Sequence, residues 1–117
     1  MHNYRKLAVY HRSRAFAREV YFLTASVSRP EQRLVTSQLR RCSLGISATI
    51  SEGCGKGSRA ETIRYLEMSC GSVAESEHHL STAAELAILS PRKCAQLCDE
   101  AVQILRMLRA LIENFPQ

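Results

Sequence analysis

The sequence predicts an all-α domain, an antiparallel four-helix bundle of up-down-up-down connectivity. Apolar residues recur at steps of three and four in four separate runs, which is the spacing of a helix face. No stretch alternates polar and apolar residues as a half-buried strand would. Only five Gly and three Pro occur in 117 residues, and most of them fall where one run gives way to the next. A chain of this length makes one domain and buries a modest core without metal or disulfides. Residues 1–117 are therefore expected to form a single bundle, with helices over about 4–27, 30–53, 59–88 and 91–114.

The first run is Val9, Ser13, Phe16, Val20, Leu23 and Val27. Leu7, Tyr10, Ala17 and Tyr21 fall on a neighbouring arc, so the apolar surface is wider than one core needs and points to a second contact face. Ser28-Arg-Pro-Glu31 has capping-box spacing and opens the second run, Val35, Leu39, Cys42, Ile46, Ile50 and Gly53. On the far side of that helix Arg29, Arg33 and Arg40 share a ridge with Leu44 among them, and Arg41 flanks it.

Gly53-Cys-Gly-Lys-Gly57 ends the second helix, and glycine is expected to supply a left-handed terminating conformation there. Ser51-Glu-Gly-Cys-Gly-Lys-Gly-Ser58 is similar in composition to a phosphate-binding loop. A P-loop, however, needs a preceding strand and Ser or Thr after its Lys, whereas Lys56 follows a helix and precedes Gly57. The stretch is a helix stop, a turn and a helix start, beside which Lys56 and Arg59 can hold at most an incidental anion. Ser58-Arg-Ala-Glu61 is a second capping box, starting the run Ile63, Leu66, Cys70, Val73, Leu80, Ala84 and Ala87. Ser90-Pro91 starts the last helix, whose stripe is Cys94, Leu97, Ala101, Ile104, Leu105, Leu108 and Leu111.

The five cysteines form an odd set without a CxxC pair and fall mostly at apolar helix positions, as small buried thiols do. No serine sits on a strand-to-helix elbow and no cysteine has a histidine at an activating local spacing, so no catalytic residue is assigned. Glu75-x-x-His78, followed by His79, is half of a di-iron ligand set, but a second copy and further inward carboxylates are missing. A solvated helical face is expected there, with no metal and no cofactor. Glu52 and Glu77 are the inward-facing acids; Glu52 is expected to accept hydrogen bonds from the following turn or from an arginine of another helix, because a bare buried carboxylate is costly.

Charge is uneven. Residues 1–41 hold nine Lys and Arg against two Glu, residues 42–88 three against six, and residues 89–117 four against three, which makes +7, −3 and +1. The basic first third, with Arg12, Arg14 and Arg18 on one helix and Arg29, Arg33, Arg40 and Arg41 on the next, suits RNA or DNA phosphates engaged along the backbone. An acidic protein partner recruited by a structural oligomer, or a solvated or interface surface with no specific role, is the alternative. No apolar run is long enough for a membrane span and the N-terminus lacks the apolar core of a signal peptide, so a cytoplasmic protein is expected.

Gln38, Leu39, Arg40 and Arg41, then Ile46, then Ile50, Glu52 and Gly53, then Gly71, Ser72 and Glu75 carry a similarity that extends over nearly the whole chain and includes Tyr21 and Thr24. The chain resembles the small bacterial four-helix-bundle proteins encoded in intervening sequences of 23S ribosomal RNA. Those proteins carry a QLRRA-like run, a Ser-Ile, an Ile-Ala-Glu-Gly ending and a Gly-Ser before Glu on the third helix. Thr49 stands where an Asn is usual, Gly45 and Ser51 where Ser and Ala are common, and the Pro often found after Ser-Ile is absent. The resemblance implies a homo-oligomer, often a pentameric ring. It extends to the basic accessory proteins that assist reverse transcriptases of diversity-generating retroelements, which implies contacts with RNA and with the polymerase.

Overall fold

A computed structural model describes residues 2–116, so the two end residues of the expected 1–117 domain lie outside the described residues. A 3-10 turn at Tyr4–Lys6 precedes four helices, α1 (Ala8–Thr24), α2 (Pro30–Cys54), α3 (Arg59–Glu85) and α4 (Pro91–Glu113), and no strand occurs among the described residues. Each helix packs on its chain neighbours and α1 closes on α4, which makes a four-cornered bundle with principal extents of 47 × 22 × 19 Å. Helix α3 is about 40 Å long, and the four-residue connection before it reaches at most about 14 Å. The chain must therefore turn back on itself. Contacts across the α2–α3 seam show the reversal directly: Gly53 meets Thr62, Thr49 meets Ser69 and Cys42 meets Ser76, one residue number rising as the other falls.

The predicted stripes line the core, apart from Ala87, expected on the α3 stripe but exposed beyond the end of that helix. Phe16 and Val20 from α1, Leu39, Ile46 and Ile50 from α2, Leu66, Val73 and Leu80 from α3, and Ile104 and Leu108 from α4 are at most 1% exposed. Burying such side chains is the main favourable term in folding, about 1.5–3 kcal/mol for each large aliphatic. Helices α2 and α3 also approach closely along a row of small residues. A Cβ on Gly53 would stand 2.6 Å from Cβ of Tyr65 and 3.3 Å from the Thr62 carbonyl oxygen. Thr62 Oγ1 donates to the Gly53 carbonyl at 2.9 Å. Thr49 holds an interhelical contact to Ser69 Oγ and bonds the Gly45 carbonyl at 2.8 Å, so this threonine bridges the seam.

Several boundaries differ from expectation. The first helix does not run over 4–27: Asn3 caps a separate turn by accepting from Arg5 N–H at 3.1 Å, and Leu7 is extended before α1 begins at Ala8. Its apolar spacing persists to Val27, but the chain must leave helical geometry after Thr24 to reach α2. Ser58 and Ser90 cap α3 and α4 through Glu61 N–H and Lys93 N–H, as predicted. Ser28 does not cap α2; Pro30 takes the first helical position, which makes Arg29 the N-cap residue, without a side-chain cap.

The glycines after α2 do not adopt left-handed backbone either, because Gly55 ends the helix at φ −87° with its N–H on the Glu52 carbonyl. The left-handed residue is Ala87, at φ 56°. It terminates α3 three residues earlier than expected, with Ile88 N–H on the Ala83 carbonyl at 2.9 Å and Ala87 N–H on the Ala84 carbonyl at 3.1 Å. That bond pattern is a Schellman motif with alanine in glycine's usual place.

Candidate nucleic-acid interface

The seven arginines singled out by the sequence fall into different environments. Arg12 reaches across to α4, where its Nε and Nη2 donate to Glu100 Oε2 at 2.9 Å and Oε1 at 2.6 Å. This bidentate hydrogen bond, followed by the charge of Glu100, pushes the guanidinium's pKa further up. Arg40 reaches across to α1: Nε donates to Thr24 Oγ1 at 2.6 Å, Nη2 donates to the Tyr21 carbonyl at 3.0 Å, and the guanidinium lies 4.3 Å from the Tyr21 ring centroid. A cation on the last-turn carbonyls of α1 is placed where the helix dipole favours it. Arg12 and Arg40 are thus committed within the chain. Arg29 has only a loose partner, Glu31 at 3.6 Å, with both side chains largely exposed.

Arg14, Arg18, Arg33 and Arg41 are exposed, and among the described residues no carboxylate lies within 4.0 Å of any of them. Arg14 and Arg18 are one turn apart on the side of α1 opposite its core stripe. The Arg40–Tyr21 contact brings that flank of α2 against the end of α1. The antiparallel register then carries a row from Arg33 past Arg41 to Arg18 and Arg14 over about 20 Å. Tyr21, Phe22, Leu34 and Leu44, all at least 55% exposed, stand on the same two helices. A groove of about 620 Å³ opens between α1 and α4, lined in part by Phe16, Phe22, Leu23 and Leu97 with Glu19 and Lys93.

Among the remaining residues of the family-like pattern, Gly53 has the packing role described above. Glu52 does not: it is exposed and, among the described residues, its side chain accepts no hydrogen bond, contrary to expectation. One residue advances the side chain by about 100°, so adjacency to buried Gly53 carries Glu52 out of the seam. Gly71 is exposed, with nothing within 4 Å of where a Cβ would stand, whereas Ser72 Oγ lies 3.4 Å from where Gly45 would carry a Cβ. Glu75 pairs with His79, not His78, at 3.5 Å, and Cys42 of α2 closes on them. The Glu75–His79 spacing of four was visible in the sequence; the cysteine on another helix was not. Lys56 of the glycine-rich stretch lies 4.7 Å from the Tyr65 ring centroid. All five cysteines are free, and burial pushes each thiol's pKa up.

Comparison with solved structures finds a protein of unknown function from the S23 ribosomal protein family of Bacteroides thetaiotaomicron. It is 20% identical, the match covers 92% of this chain and 100% of that one, and the TM-score is 0.84. At that identity the likeness shows the fold, and it is the fold described above. A search of curated proteins returns no match. The model of the 23S rRNA-intervening sequence protein family matches residues 5–110, a span that takes in all four helices except the last residues of α4, and the chain belongs to that family.

Proposed function

We propose that this protein is a non-enzymatic, nucleic-acid-binding accessory module that works as a homo-oligomer in the cytoplasm. The observation that carries the reading is the row of Arg14, Arg18, Arg33 and Arg41, exposed and without acidic partners among the described residues, on a chain of net charge +5. Such a row suits phosphates held by charge and forked hydrogen bonds, with little base readout. Exposed Phe22 and Leu34 and the groove between α1 and α4 support self-association, for which the family resemblance suggests a pentameric ring. The same resemblance suggests a reverse transcriptase of a diversity-generating retroelement as the protein served. No helix among the described residues is long and apolar enough to cross a membrane.

A salt titration of binding to single-stranded RNA tests the reading. Each arginine that neutralises a phosphate adds about 0.7 to the slope of log affinity against log salt, so Arg18→Ala, Arg33→Ala, Arg41→Ala should flatten it by about 2. Arg12→Ala should leave it nearly unchanged, since Glu100 already occupies that guanidinium. Equal losses from both variants, or no binding near physiological salt, would overturn the proposal. Leu44, 60% exposed on the arginine-bearing helix, favours a second reading in which the oligomer recruits an acidic protein. Competition between labelled RNA and an acidic peptide separates the two.

A further inference from the structure

We propose that Cys42, Glu75 and His79 form a zinc-binding site on the α2–α3 seam, with a water as fourth ligand. The antiparallel register sets Cys42 opposite Ser76, whose Oγ is 3.2 Å from Sγ. Glu75 and His79 are one turn apart on α3 on either side of that level, so both side chains lean toward the sulfur. His79 Nε2 is 3.5 Å from Glu75 Oε2, and the three ligand atoms all lie within 4.8 Å of one another. Tetrahedral zinc, with Zn–S about 2.3 Å and Zn–N about 2.0 Å, holds its ligand atoms about 3.5 Å apart. Closing the present triangle needs each atom to move by less than about 1 Å, which side-chain rotation supplies without backbone change.

Burial is graded across the triangle. Cys42 is 6% exposed, the His79 side chain 18% and the Glu75 side chain 54%, so the sulfur forms the floor and the carboxylate the rim. Solvent thus reaches the open coordination position. A thiolate and a carboxylate neutralise the dication, and thiolate with imidazole selects zinc over magnesium or calcium. The supporting groups are also present. Cys42 now directs its S–H to the Leu39 carbonyl at 3.4 Å, and Ser76 Oγ donates to the Ser72 carbonyl at 2.8 Å. When zinc displaces the thiol proton to solvent, the Ser76 hydroxyl turns its hydrogen to the sulfur and orients the ligand. This site is independent of the arginine row.

The test uses the reduced, chelator-stripped full chain in a non-thiol reductant, titrated with zinc by calorimetry and with cobalt by absorption spectroscopy. One metal per chain is expected, with a sulfur-to-cobalt charge-transfer band and tetrahedral d–d bands. Loss of an outer-shell group alone costs about 10–100-fold in metal affinity, so Cys42→Ser, His79→Ala and Glu75→Gln should each cost at least about tenfold. His78→Ala and Cys98→Ser should bind as the parent does. Absence of stoichiometric zinc binding by the folded parent, a cobalt complex lacking the sulfur band, or unchanged affinity in Glu75→Gln would each overturn the site. Glu75 is surface-exposed and its variant keeps the core intact, so the outcome is decided even if Cys42→Ser fails to fold.

Discussion

Replacing Gly53 by alanine is expected to destabilise the bundle, whereas the same replacement at Gly71 should stabilise it. At position 53 the added methyl would lie 2.6 Å from Tyr65 Cβ and 3.3 Å from the Thr62 carbonyl oxygen, against ordinary carbon contacts of about 3.5–4.0 Å. Neither neighbour is the free end of a flexible side chain, so α2 and α3 must separate by about 1 Å. That strains the seam by about 1–3 kcal/mol, and the Thr62 hydroxyl's bond to the Gly53 carbonyl, worth about 1 kcal/mol, is lost or stretched. Alanine's higher helix propensity returns at most about 1 kcal/mol, and less here, since α2 ends one residue later. The net is a loss of about 1–3 kcal/mol, or a Tm lower by about 4–12 °C for 117 residues. Gly71, exposed in the interior of α3 with nothing within 4 Å of its added carbon, keeps only the propensity gain of about 0.5–1 kcal/mol. Chemical denaturation of both variants beside the parent measures the two values. A Gly53→Ala protein as stable as Gly71→Ala would refute the close-approach argument.

Ala87→Gly should raise stability by about 0.5–1 kcal/mol, since alanine at φ 56° carries a left-handed penalty that glycine escapes; thermal unfolding reads it, and a lower Tm would contradict the Schellman geometry. Arg40→Met should cost about 1–2 kcal/mol by removing charge-assisted bonds to Thr24 and the Tyr21 carbonyl, while weakening RNA binding less than Arg33→Ala does. The buried thiols make stability fall in alkali: each folded-state pKa lies above the usual 9.0, so above about pH 9 the unfolded chain ionises while the folded one keeps its protons. The stability they contribute is complete below that pH and is lost as the pH rises through the raised folded-state pKa values. Denaturation curves from pH 7 to about pH 10.5 check it, and a flat profile would show those thiols to be solvated.

The sequence alone determined the class of fold, the number of helices and most core residues, because each helix must bury one stripe, and a stripe such as Leu39, Ile46 and Ile50 is written in local spacing. The caps at Ser58 and Ser90 were legible for the same reason: donor and acceptor are three residues apart. What spacing does not encode is which neighbour a side chain meets across the bundle. Only the tertiary structure decided that Arg12 and Arg40 are taken by Glu100 and the end of α1, leaving Arg14, Arg18, Arg33 and Arg41 outward. It likewise assigned Gly53 to a close helix approach instead of a left-handed turn, and set Cys42 beside Glu75 and His79. These outcomes depend on the register between helices, which is fixed by the packing of the whole core, so residues far apart in the chain become partners that no local pattern names.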